Sequence, residues 1–155
     1  MKKILIVSTV IATIAWSSFI PTFGGGSEKG RVDKNFVHEH NNTIVSDLKN
    51  KKSYSDIKHN KQYTQEQALA YCEKLELANT KDWRLPTKEE LKTLFDFTRK
   101  PVNIKYPFAN TQESRYWSST TANHGKAYYA DFDLGRYSRA KVEKQYFVLC
   151  VRDKK

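Results

Sequence analysis

No segment of this chain repeats another, and none carries a glycine-rich phosphate loop, a Ser/His/Asp set or two carboxylates paired for acid–base chemistry. These absences remove the sequence signatures of nucleotide-dependent and hydrolytic enzymes. Histidine is scarce, and His38, His40, His59 and His124 lack the paired spacing with a cysteine that zinc sites use. No metal and no cofactor is therefore expected, and His38-Glu39-His40 reads as a polar loop. Cysteine is scarcer still: only Cys72 and Cys150 occur, and none follows the N-terminal apolar run, which excludes lipid attachment there. Acidic residues are the minority charge, 17 against 27 Lys and Arg, giving a formal net charge of +10. That excess favours anionic partners such as an acidic polysaccharide or an anionic surface.

What the chain does have begins with a leader. Lys2 and Lys3 precede an apolar run from Ile4 to Ala15, the pattern of an export signal. Residues 1–24 are read as a signal peptide or an N-terminal anchor. Small residues at Thr22 and Gly24 suit cleavage near Pro21-Thr22-Phe23-Gly24, and cleavage after Ala15 is a second option. An uncleaved anchor stays open, because no charged residue lies between Lys3 and Glu28, a span long enough to cross a bilayer. Either reading puts the domain outside the cytoplasm, whether periplasmic, cell-surface or secreted. A nucleic-acid partner does not suit an exported chain, and contact with a membrane is expected only through the N-terminal segment if it is uncleaved. In an oxidising compartment Cys72 and Cys150 are expected to bond to each other, joining the first long helix to the last strand.

The remaining chain, 39% apolar and 13% aromatic overall, can bury one sizeable core. Residues 25–42 are glycine-rich and then polar, and are read as a linker, so the domain is placed at 43–155. Short strands are expected over Thr43–Leu48 and Lys52–Ile57. Thr64 with Gln67 forms a capping box that opens a helix of about thirteen residues. The central stretch runs Asp82-Trp83-Arg84-Leu85-Pro86-Thr87-Lys88-Glu89-Glu90-Leu91. Pro86 biases Leu85 to extended geometry, Thr87 with Glu90 forms a second capping box, and Trp83 and Leu85 can pack beneath the helix that follows. Leu91, Leu94 and Phe95 share its inner face, and it should fade near Thr98. Residues 100–115 form a long loop. Strands are then expected at Tyr116–Thr120, Ala127–Asp133, Arg136–Lys141 and Gln145–Val151. The last alternates Tyr146, Val148 and Cys150 against Phe147, Leu149 and Val151, so it should be covered on both sides and central to its sheet. The result is an α+β domain with two helices packed on an antiparallel sheet and one disulfide.

Four motifs occur in order: Ala68-Leu69-Ala70-Tyr71-Cys72, Asp82-Trp83-Arg84-Leu85-Pro86-Thr87 with Glu90-Leu91, Tyr116-Trp117-Ser118-Ser119-Thr120, and Cys150-Val151-Arg152. Together they resemble the domain at the C-terminus of the Legionella collagen-like adhesin, over about Thr43 to Asp153. That family is similar in turn to C-type lectin-like folds and to formylglycine-generating enzymes. The resemblance implies a C-type lectin-like fold with a cystine from the first helix to the last strand, and structural roles for Trp83, Arg84, Leu85, Pro86, Thr87, Glu90 and Trp117. Where family members usually have a tryptophan after the first strand this chain has Tyr54, and before the final cysteine it has Leu149 in place of a common arginine. No collagen-like repeat precedes the domain, and the Glu-Pro-Asn and Trp-Asn-Asp signatures of calcium-dependent lectins are absent.

Three functions are compared. The first is an exported, non-enzymatic adhesion module that recognises an anionic glycan or envelope component. Its candidate contacts are Arg139, Lys141 and Lys144 with Tyr137, helped by Arg136, Arg115 and Lys126. Arg136 and Arg139 have opposite strand parity, so Arg139 and Lys141 with Lys144 in the following turn make the sharper patch. The bland alternative for this run is a strand edge guarded by cations. The second function is a structural or protein-interaction module at the envelope, which exposed rings among Tyr128, Tyr129 and Tyr137 would favour. The third, an oxidase of the formylglycine-generating kind, needs a reactive cysteine pair that the fold already uses.

Overall fold

The computed structural model describes residues 33–155 except Glu113, and the expected leader over residues 1–24 lies outside them. Four strands make one antiparallel sheet in the order β1 (Phe36–Glu39), β2 (Ile44–Asp47), β3 (Lys52–Ser55) and β7 (Val151–Asp153). A second sheet holds β4 (Arg115–Ala122), β5 (Lys126–Asp131) and β6 (Arg136–Lys141) in that order. Two helices, α1 (Gln65–Lys74) and α2 (Lys88–Lys92), lie between the sheets in sequence. The domain is α+β, with two antiparallel sheets where one was expected.

β1 moves the start of the domain. It falls inside the stretch read as a linker, yet its residues pair with β2 from Phe36 opposite Asp47 to Glu39 opposite Ile44. Burial of Phe36 against Phe108, with ring centroids 6.4 Å apart, fixes the strand where local composition gives no signal.

Both helices open on complete capping boxes. Gln67 N donates to Thr64 Oγ1 at 3.3 Å while Thr64 N donates to Gln67 Oε1 at 3.1 Å. At α2, Glu90 N donates to Thr87 Oγ1 at 3.2 Å and Thr87 N donates to Glu90 Oε2 at 2.8 Å. Each pair satisfies two donors that a helix start leaves open. α1 is somewhat shorter than expected. α2 ends at Lys92 and does not reach Thr98, because Lys105 N donates to Leu94 O at 2.8 Å and Phe95 pairs with Ile104. The returning loop thus takes the carbonyl that a further helical turn would have used.

The stretch before β7 connects everything. Val148 and Cys150 lie in one apolar cluster with Trp83, Leu85, Trp117 and Tyr129, while Leu149 and Val151 lie in the other with Tyr54, Leu91, Leu94 and Tyr116. Alternating residues therefore face alternate cores, as period-two geometry requires. The stretch is not a continuous central strand, however. Tyr146 exchanges backbone bonds with Tyr63, Phe147 N donates to Arg115 O, Trp117 N donates to Phe147 O, and Val151 exchanges bonds with Arg84. Only Val151–Asp153 joins a ladder, at the end of the four-stranded sheet, with Arg84 covering its far side.

Cys72 and Cys150 form the disulfide across a sequence separation of 78 residues. In the chain-entropy account a loop of this size stabilises the fold by about 4–5 kcal/mol through restriction of the unfolded chain.

Candidate functional site

The lead-in to α2 places that helix. Arg84 is stitched to β7 by backbone bonds of 2.9 and 2.8 Å with Val151. Pro86 O accepts from Ser119 N at 2.8 Å and Lys88 N donates to Thr120 Oγ1 at 2.9 Å, which ties the start of α2 to β4. Trp83 is 3% exposed and its Nε1 donates to Thr80 O at 3.2 Å. Trp117 is fully buried, and its Nε1 donates to Tyr63 O at 2.8 Å.

Glu90 is the electrostatic hub of this segment. It accepts two hydrogen bonds from the Arg84 guanidinium, at 2.8 and 2.7 Å, and Lys52 Nζ lies 3.0 Å away. Burial alone would raise its pKa. The bonds from Arg84, Thr87 N and Lys52 overcome that and hold the carboxyl down at about 2. Lys52 and Arg84 also reach Asp153, whose carboxyl the Lys52 bond holds below its ordinary range. These cations are consumed by the fold.

The outer hairpin is different. In the β5–β6 ladder Lys126 lies opposite Lys141, Tyr128 opposite Arg139, and Ala130 opposite Tyr137. Directly opposed residues point to one side of a sheet, so Lys126, Tyr128, Tyr137, Arg139 and Lys141 share a face. α2 borders the same face: Lys88 Nζ lies 4.5 Å from the Tyr128 ring centroid and 5.7 Å from that of Tyr137, and Lys92 Nζ lies 5.8 Å from Tyr137. Lys88 also meets Glu89 at 3.2 Å, a bond that raises its pKa. Lys88 and Lys92 join this face only through tertiary packing, which sets the helix against the hairpin. Tyr137 is 43% exposed. With lysines already over its ring, it orients cations as much as it offers a stacking surface.

Not every candidate joins this face. Arg115 and Arg136 are both aligned with Asp131 in the cross-strand register, on the opposite side of the sheet. Arg115 Nε donates to Asp131 Oδ2 at 3.2 Å. Lys144 is exposed in the turn after β6, its N donating to Lys141 O at 3.0 Å. Tyr129 is buried at 8% exposure against Trp117 and Tyr146, which removes it from the exposed rings. Among the described residues no group of three His, Cys, Asp or Glu could hold a metal ion, and no helix is long and apolar enough to cross a membrane.

One protein-family model, described as the Lcl C-terminal domain, matches residues 36–152. The match starts with β1 and ends within β7, so it takes in both sheets and both helices. No curated protein matches the chain.

Proposed function

Because the chain belongs to the Lcl C-terminal domain family, we propose that it is an exported, non-enzymatic adhesion module that recognises an anionic glycan. The family is adhesin-associated, which supports a binding role over a catalytic one. The cystine from α1 to the last stretch and the Arg84-Leu85-Pro86-Thr87 lead-in support a C-type lectin-like reading of the fold. Fold likeness alone does not assign a ligand.

One observation carries the ligand class: Lys126, Arg139 and Lys141 are exposed on one hairpin face, and Lys88 and Lys92 of α2 border it. Sulfate and carboxylate groups along a polysaccharide can each pair with one of these side chains, with charge-assisted hydrogen bonds stronger than neutral ones. Contacts between exposed charges are screened over about 8 Å at physiological salt. Retention on a sulfated-polysaccharide column should therefore fall steeply as salt rises.

Substitution of Lys126, Arg139 and Lys141 together by Ser should move elution to clearly lower salt while the protein stays folded. Equal retention of the folded variant and the parent removes this face as the site. The envelope-protein reading then leads, favoured by an exposed apolar pair nearby: Phe97 at 67% and Leu134 at 54% exposure. Phe97 lies over Gly135, where an added Cβ would come within 3.1 Å of its ring.

A further inference from the structure

The far side of the three-stranded sheet holds a cleft that the cation face does not use. It measures about 300 Å³, and Gln62, Arg115, Asp131, Asp133, Gln145 and Tyr146 contribute to its lining. That volume is at the small end of ligand sites, enough for a single ring with its substituents.

Its chemistry is mixed, and its parts are held in place. Asp131 is 2% exposed; its Oδ2 accepts from Arg115 Nε at 3.2 Å and its Oδ1 accepts from Leu134 N at 3.1 Å. The Arg115 guanidinium carbon lies 5.8 and 5.7 Å from the ring centroids of Tyr129 and Tyr146, so the side chain is fixed between an acid and two aromatic rings. An arginine fixed in this way has little freedom left to lose when it binds. Its side chain is nonetheless 47% exposed. Arg136 is aligned with Asp131 on the same face. Arg136 does not line the cleft, so Arg115 there meets two carboxylates, Asp131 and Asp133, and the lining carries no excess of positive charge, which argues against a polyanion here. The glutamine amides add donors and acceptors side by side.

We propose that this cleft is a second ligand site, one that takes an uncharged sugar ring through neighbouring hydroxyls. A hydroxyl accepts one hydrogen bond while donating another, so two adjacent ones can accept from Arg115 and the glutamine amides while donating to Asp133. The proposal rests on the glycan-binding reading and deepens it. One face of the hairpin takes the charges of a polysaccharide, and the other takes an uncharged ring.

The test is a titration of the protein with the methyl glycosides of glucose, galactose, mannose and N-acetylglucosamine, and with methyl glucuronide as the charged control, followed by nitrogen-15 NMR. At least one glycoside should shift the Arg115 Nε–H and the side-chain amides of Gln62 and Gln145 saturably, with affinity unchanged between low and high salt. Arg115→Met should weaken binding about tenfold or more, through loss of hydrogen bonds to a charged donor. Gln62→Ala and Gln145→Ala, at exposed positions that leave the fold intact, should each weaken it measurably even if Arg115→Met fails to fold. The Lys126, Arg139 and Lys141 triple variant should bind as the parent does. The proposal is overturned if no glycoside shifts these signals, if methyl glucuronide alone shifts them, or if both glutamine variants bind as the parent does. A failure on the sulfated-polysaccharide column leaves this outcome standing, so the two readings fail separately.

Discussion

The lead-in to α2 and the outer strand β6 both carry cations, and the fold disposes of them in opposite ways. Arg84 and Lys52 close on Glu90, whose side chain is 13% exposed. Arg139 and Lys141 face Tyr128 and Lys126 across the ladder, with no acid opposite them. A largely enclosed carboxylate stripped of one partner is left charged and poorly solvated, so breaking that network is costly. Exposed cations cost little to keep and contribute little to stability. Paired charge thus marks where the chain is held, and under the proposed function the cations with no acid opposite them on the bordered face are the ones that meet a ligand. Three predictions test that contrast.

The largest effect is expected at the lead-in. Trp83 packs with the disulfide, Leu85 and Val148, and its ring lies 5.9 Å from the Arg152 guanidinium carbon. Trp83→Ala should destabilise the protein by about 3–5 kcal/mol, as other large core truncations do. Urea unfolding measures it. A change below about 1 kcal/mol would mean that the lead-in does not organise the core, and one side of the contrast would be gone.

How much of this was legible in the sequence depends on whether the signal was local. The alternation from Tyr146 to Val151 depends only on backbone geometry, and the two clusters follow it residue by residue. With two cysteines, only one intramolecular pairing exists. The capping boxes at Thr64 and Thr87 are four-residue signals, and both form. Misses came where distant segments compete. Leu91, Leu94 and Phe95 keep helical spacing, but Lys105 claims the Leu94 carbonyl. β1 is four residues of mixed polarity whose partner lies across a turn of positive-φ residues, His40, Asn41 and Asn42. At the candidate face, strand parity separates Arg136 from Arg139, as the register has it. Lys88 and Lys92 could not be added, because nothing in a helix names the sheet face it will border.

A middle-sized effect isolates charge from capping. Glutamine at the third helical position can still reach back to the cap, so Glu90→Gln keeps the capping box and removes the ion pairs. With its pKa lowered from 4.5 to about 2, Glu90 contributes stability that is complete above about pH 4.5 and is lost as pH falls through about 2. Allowing for solvent around the partly exposed Arg84, that contribution is about 2 kcal/mol. Glu90→Gln should lower stability at neutral pH by that amount and flatten the decline between about pH 5 and about pH 2. If parent and variant decline in parallel with acid, the charges around Glu90 are not holding the segment.

The smallest effect on stability is expected at β6, and there the small value is what matters. Arg139 and Lys141 are exposed at the open edge of the three-stranded sheet, where cations commonly discourage strand-to-strand association. Arg139→Ser with Lys141→Ser should leave unfolding free energy within about 0.5 kcal/mol of the parent, as for other surface changes. A loss above about 1 kcal/mol would place these side chains with Arg84 and Lys52, and the contrast would collapse. If stability holds, a second reading separates the two remaining roles. A residue kept only to guard an edge should, when replaced, raise self-association in sedimentation experiments and leave retention on a sulfated polysaccharide unchanged. A residue kept for a ligand should do the reverse. Loss of retention without association, in a protein of unchanged stability, assigns the cations of β6 to binding.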